Sequence, residues 1–142
     1  MDPFTVLIVL AMLVAVATGL GLLYRTSRSR VGRVKADAPV EGVQLGTEGT
    51  LLQFSSTVCS ACAATRRILG EISTENPTLT HVEVNVVDRP DLVDRFGILQ
   101  TPTTLILDSS GVPVSRIGGG VRREVVLAEL GRVLTLTPAH TR

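Results

Sequence analysis

The sequence predicts an α/β domain with a mixed four-stranded sheet and flanking helices, preceded by one N-terminal transmembrane helix. Three observations lead there. Residues Phe4 to Leu23 carry no charge, and a run of about 20 apolar residues matches the hydrocarbon thickness of a bilayer. Beyond residue 43, short β-type runs alternate with helix-type segments, the pattern of a layered α/β sheet. The chain has 2 cysteines, and they fall together as Cys59-Ser60-Ala61-Cys62, where the first of those runs passes into the first of those helices.

The elements follow in order. The apolar run has no polar face, unlike an amphipathic core helix. Gly19 and Gly21 are tolerable in a membrane helix, and Tyr24 falls at the interfacial position. Ala36-Asp37-Ala38 is the nearest match to a cleavage site, but it lies well beyond the run, and no basic residue precedes the run. A retained anchor over residues 4–24 therefore fits better than a removed leader. Arg25, Arg28, Arg30, Arg33 and Lys35 follow the run, whereas the N-terminal tip carries only Asp2. The positive-inside rule then favours a single-pass cell-membrane protein with its domain in the cytoplasm. The basic cluster also attracts anionic membrane lipid. Residues 25–42 lack a clear period and read as a basic flank and tether.

A folded domain is expected over residues 43–137, with a short tail at 138–142. Thr50–Phe54 reads as a buried strand and Ser55–Val58 as a loop. The next helix starts at Cys59 and ends before Asn76-Pro77. His81–Val87 mostly alternates and reads as a second strand. Pro90–Phe96 reads as a short helix, with Asp88 at its N-cap and Gly97 closing it. Thr103–Leu107 and Val112–Ile117 flank the turn Asp108-Ser-Ser-Gly111 and form an antiparallel hairpin. The final helix spans Val121–Leu134, with Val125, Val126, Leu130, Val133 and Leu134 on one side. Net charge is +1 and aromatic residues make up 3% of the chain. With no basic stripe inside the domain and no zinc-finger spacing, a nucleic-acid partner is not expected.

The cysteine pair carries the chemistry. At the start of a helix, positions i and i+3 share a face, so the two sulfurs can meet. Unpaired backbone N–H groups and the positive end of the helix dipole favour a thiolate at Cys59. The second thiol is then placed to resolve a mixed disulfide. A structural bridge is one alternative, although so short a loop constrains the unfolded chain little. A metal site is another, but Cys59 and Cys62 supply half of a four-ligand zinc site, and His81 and His140 do not stand at ligand spacing.

Four local features together give the resemblance. They are Phe54 with its loop into Cys59-Ser-Ala-Cys62; Pro90-Asp-Leu-Val-Asp-Arg-Phe-Gly97; Thr101-Pro102-Thr103; and Asp108-Ser-Ser-Gly111 leading to Gly118. On these the chain resembles the thioredoxin family, as a membrane-anchored, bacterial-type member. The likeness covers roughly Val43 to Leu134, without the family's first strand and helix. It implies a thioredoxin-like fold and thiol–disulfide oxidoreductase activity of the protein-disulfide reductase type, serving cell redox homeostasis. Cys59 would be the nucleophile and Cys62 the resolving thiol. Thr101 and Pro102 would bind extended substrate peptide, at a proline that is cis in the family. No metal or organic cofactor is implied, only the redox-active Cys59–Cys62 disulfide. The partners would be a disulfide-containing protein substrate and an unidentified electron donor or acceptor.

The chain also departs from the family's pattern. It has no tryptophan: Val58 stands before the motif, and Ser55 where a second aromatic is common. Gln53 replaces a buried aspartate, and Glu83 replaces the lysine that faces it. Two readings of Glu83 stay open: a proton-transfer group beneath Cys62, or a partly exposed strand residue without such a role. A non-enzymatic reading also stays open, as a tethered binding module or a metal chaperone that uses Cys59 and Cys62 as ligands.

Overall fold

The computed structural model describes residues 2–26, 30–32 and 38–136. In chain order its elements are α1 (Pro3–Thr26), β1 (Arg30–Gly32), β2 (Gly49–Ser55), α2 (Ser60–Glu75), β3 (Leu79–Asn85), α3 (Pro90–Phe96), β4 (Thr103–Asp108), β5 (Pro113–Gly118) and α4 (Arg123–Leu136). Arg28, Arg33, Lys35, Ala36, Asp37 and the tail with His140 lie outside the described residues.

Helix α1 is long and apolar enough to cross a membrane. Its large apolar side chains from Phe4 to Leu22 are exposed. Thr18 Oγ1 donates back to Val14 O at 2.7 Å, so this hydroxyl needs no water.

The sheet has five strands, in the order β1-β5-β4-β2-β3, instead of the four expected. β2 and β3 are parallel, and the remaining pairs are antiparallel. The extra strand is β1, inside the segment expected as a free tether. It pairs Arg30 with Gly118, Val31 with Ile117 and Gly32 with Arg116. The physical reason is that β5 would otherwise present an open row of N–H and C=O groups, which any nearby extended backbone can satisfy. Packing also begins earlier than Val43. Val40 is buried and donates its N–H to Gly111 O at 3.0 Å. Arg95 donates to Pro39 O at 3.1 Å and to Ala38 O at 2.6 Å.

Two apolar layers cover the sheet. On one face Leu51, Ile106 and Ile117 pack with Leu69 and Ile72 of α2 and with Val126, Leu130 and Val133 of α4. On the other, Leu52, Phe54, Leu105 and Leu107 pack with Leu92 and Phe96 of α3 and with Val40. Adjacent residues Leu51 and Leu52 serve opposite layers because strand side chains alternate. Leu69 and Ile72 lie on one face of α2, at i and i+3, and each is fully buried, worth about 2 kcal/mol apiece. The N-cap of α3 is Arg89, without a side-chain cap bond, rather than Asp88; Pro90 follows as the first residue of the helix. Asp88 N–H bonds Asn85 O, so Asp88 belongs to the preceding turn.

Candidate active site

The end of β2 and the start of α2 set the cysteines. β2 is buried along its whole length, which fixes where the loop Ser56–Val58 begins. Cys59 is the N-cap of α2, in extended conformation, and makes no side-chain cap bond. Cys62 lies one turn in, on the side of the helix that also buries Thr65, Leu69 and Ile72. The two form a disulfide, with S–S 2.16 Å and Cα–Cα 5.4 Å. Their environments differ: Cys59 is partly exposed and Cys62 is buried. A reagent from solvent therefore meets Cys59 first.

The Thr101–Pro102 peptide bond is cis. Gly119 N–H donates to Pro102 O at 2.8 Å, which ties this loop to the end of β5. Gly119 has φ +83°, a conformation that costs side-chain-bearing residues but not glycine. Thr101 Oγ1 and Ser56 Oγ stand 3.1 Å apart, so the proline loop and the cysteine loop touch. Val58, next to Cys59, and Leu99, just before the proline loop, are each 94% exposed.

A polar chain runs beneath Cys62. Gln53 is fully buried. Its Nε2 donates to Cys62 O at 3.1 Å and to Ser55 Oγ at 2.9 Å. Its Oε1 pairs with His81 Nε2 at 3.1 Å. Ser55 Oγ donates to Glu83 Oε1 at 2.5 Å. Glu83 also takes Arg66 Nη2 at 2.8 Å, and a second bond from Arg66 Nε. The register explains the grouping. Gln53 lies opposite Glu83 and Leu51 opposite His81 in the parallel pair, and Arg66 follows Cys62 by one helical turn, on the same face.

The electrostatics follow from these contacts. The Arg66 hydrogen bond holds the Glu83 carboxyl below its ordinary range, against some desolvation. Burial pushes His81 below its ordinary value, partly offset by the Glu83 charge. The Arg66 and Ser55 hydrogen bonds both favour the ionised carboxylate of Glu83. It does not contact Cys62 directly; Ser55 and Gln53 stand between them. A polar cleft of about 310 Å³, lined by Ser55, Ser56, Thr57, Arg66, Glu83, Asn85 and Asp88, opens beside the cysteine loop.

His81, Arg66 and the bond from Gln53 to Cys62 were not singled out in the sequence as parts of one site. The available signal was the spacing: Gln53 and Glu83 are both two residues from the end of their strands, which pair in parallel. Among the described residues no group of three or more His, Cys, Asp or Glu could hold a metal ion. Exchange between sulfurs moves electrons without an organic cofactor.

The comparisons with known proteins agree with this geometry. No protein-family model matches the chain. It is similar to the thioredoxin of Mycobacterium tuberculosis, 36% identical over 85 residues, covering 59% of this chain and 72% of that protein. It is 30% identical over 99 residues to the thioredoxin of Alicyclobacillus acidocaldarius, covering 69% of this chain and 93% of that one. Its fold resembles the crystal structure of a Nicotiana alata thioredoxin, with a TM-score of 0.54 and 21% identity, covering 61% of this chain and 73% of that one. Given this fold, the disulfide at the head of α2 and these relatives, the chain belongs to the thioredoxin family and is a thiol–disulfide oxidoreductase.

Proposed function

We propose that the protein is a membrane-anchored protein-disulfide reductase. The observation that carries this reading is the difference in exposure between the two bridged sulfurs: Cys59 is reachable and Cys62 is buried. In the reduced dithiol form, Cys59 thiolate attacks one sulfur of a substrate disulfide. A Cys59–substrate disulfide forms, and the leaving substrate thiolate takes a proton. Cys62, deprotonated, then attacks Cys59 Sγ. The second substrate thiol leaves, and the Cys59–Cys62 disulfide of this structure remains. Two electrons and two protons pass to the substrate, and an external dithiol donor returns them.

Thr101 and Pro102 supply the backbone edge that takes an extended substrate strand, and exposed Val58 and Leu99, next to the cysteine motif and the proline loop in sequence, offer apolar contact. Gln53 orients the Cys62 turn through its carbonyl, while ionised Glu83 orients Ser55 and, through it, Gln53. Glu83 thus acts as a positioning residue and not as the proton acceptor. The exposed apolar helix α1 supports the anchor, and the basic residues that follow it support a cytoplasmic domain. That compartment is reducing, which favours the reductase direction.

Insulin reduction by the purified full chain, with dithiothreitol as donor, tests the chemistry. Wild type should turn over, Cys59→Ser should not, and Cys62→Ser should accumulate a mixed disulfide. Equal turnover by wild type and Cys59→Ser would overturn the assignment. Labelling of Cys59 in intact cells with a membrane-impermeant thiol reagent, after mild reduction and against a lysed-cell control, tests the side of the membrane. Strong labelling of intact cells places the domain outside.

A further inference from the structure

Strand β1 sets the end of the sheet at which the chain enters the domain. Its first residue, Arg30, lies opposite Gly118, the last residue of β5, and its last, Gly32, lies opposite Arg116. Gly118 marks the redox end of the sheet. It pairs with Thr103 at the start of β4, and the next residue, Gly119, bonds Pro102 O. Pro102 in turn follows Thr101, which touches Ser56 of the cysteine loop. The chain therefore leaves α1 and enters the sheet at the end that holds Cys59. It then runs down β5 toward the opposite end, where Val40 bonds Gly111 in the turn between β4 and β5.

Without β1 the chain would first be held at Ala38 and Pro39, through Arg95, and at Val40, beside Gly111 at the end of the sheet remote from the disulfide. The six residues of β5 separate those two ends by about 20 Å.

The reach is bounded. The apolar span ends at Leu22 and α1 at Thr26, a rise of about 6 Å. From Thr26 to Arg30 there are four virtual bonds of about 3.8 Å, and neighbouring strands lie about 4.8 Å apart. Gly118 is thus no farther than about 26 Å from the end of the span. A headgroup layer of about 6 Å lies within that distance, whatever the tilt of the domain. This leaves a gap of about 20 Å at most, narrower than a folded domain of 100 residues, whose width exceeds twice its radius of gyration of about 13 Å.

We propose that β1 holds the redox end of the sheet at the membrane surface, and that the substrate is a disulfide in the juxtamembrane segment of another membrane-anchored protein. The inference rests on the anchored-reductase reading above. The Cys59–Cys62 dithiol is oxidised to the disulfide as that substrate disulfide is reduced to two thiols.

Liposomes that carry the full chain test it. Flotation first shows whether the chain stays with lipid. One fluorophore is attached to Cys59 in Cys62→Ser. In a second protein it is attached at Ser110→Cys, in the turn at the opposite end, with both native cysteines replaced by serine. Energy transfer to headgroup-labelled lipid should be stronger from position 59 than from position 110. Equal or reversed transfer from a chain that floats overturns the inference and leaves the anchor standing. A chain that does not float overturns both.

The substrate class is tested with a transmembrane peptide whose disulfide hairpin sits either at the bilayer surface or beyond a long helical spacer, with dithiothreitol as donor. The surface hairpin should be reduced at least about tenfold faster, because a tether that cannot span the gap gives almost no effective concentration. Twelve Gly/Ser residues inserted between Thr26 and Arg30 should erase that preference, with insulin reduction in detergent unchanged. Equal rates on the two peptides with wild type, or a preference that survives the insertion, overturns the inference. Loss of insulin reduction by wild type would instead overturn the redox reading itself.

Discussion

Glu83→Gln probes the polar chain under the disulfide. The carboxylate accepts from Ser55 Oγ and pairs with Arg66. Glutamine keeps an acceptor for Ser55 but has no charge. A hydrogen bond to a charged group is worth about 1.5–3 kcal/mol and a neutral one about 1. The Ser55 contact should therefore weaken by about 1 kcal/mol at pH 7. The Arg66 side chain is 58% exposed, so solvent screening leaves the ion pair little to add. Glu83 titrates below its ordinary value of 4.5, chiefly through the Arg66 hydrogen bond. Its stabilisation is complete above that value and is lost as pH falls through the lower folded value. Wild type and variant should differ by about 4–8 °C in Tm at pH 7 and converge toward acid. Thermal unfolding of the full chain in detergent, stepped from neutral to acid pH, measures this. A Tm gap that stays constant into acid refutes the carboxylate account. In the same preparations, the pH profile of disulfide exchange should keep its shape in the variant, with only its amplitude reduced. A displaced profile would mean that Glu83 handles the proton after all.

Three further outcomes are expected. Burial holds His81 below its ordinary value of 6.5, against the Glu83 charge and together with the Arg66 charge. Stability should therefore be full above that value and fall as pH drops through it and then through the lower folded value. His81→Gln should flatten this part of the stability curve, and an unchanged slope would show that another group titrates there. Gln53→Ala removes three hydrogen bonds around a fully buried site and leaves a cavity, a loss of about 4 kcal/mol. It should also lengthen the life of the mixed disulfide on Cys59 in quenched-flow gels, because Cys62 loses its support; an unchanged lifetime would remove Gln53 from the positioning role. Gly119→Ala forces a side chain into φ +83° at about 1 kcal/mol. It should loosen the bond to Pro102 O and raise KM for insulin more than it lowers kcat, and equal effects on both would place the defect elsewhere.

Much of this fold was legible because its signals are local. Pro90 opens α3 and Gly97 closes it, at the expected positions. The apolar run Thr50–Phe54 marks a buried strand, whereas which of Leu51 and Leu52 serves which layer appears only in the packing. Element ends moved by one or two residues, since strands extend wherever a neighbour offers another bond: β2 gained Gly49 and Ser55 against β3. Arg89 rather than Asp88 caps α3, because Asp88 is taken up by the preceding turn. The candidate site was legible where spacing alone sets it, at Cys59 and Cys62. It was illegible at His81, at Arg66 and in the bond from Gln53 to Cys62, whose grouping depends on the register between β2 and β3 and on the rotation of α2 above them.

By itself the sequence determined an apolar run of membrane-spanning length, the order of strands and helices, and a cysteine pair at a strand-to-helix junction. Each of these rests on neighbours within a few positions along the chain. Tertiary structure alone decided that Cys62 is buried and Cys59 reachable, that Glu83 is tied to Arg66 with Ser55 between it and Gln53, and that the segment after α1 adds a fifth strand at the redox end of β5. Burial and strand pairing join residues far apart in sequence, such as Arg30 and Gly118. No local pattern carries that information, because an edge strand needs only extended backbone and an unpaired partner, and both are nearly independent of side-chain identity.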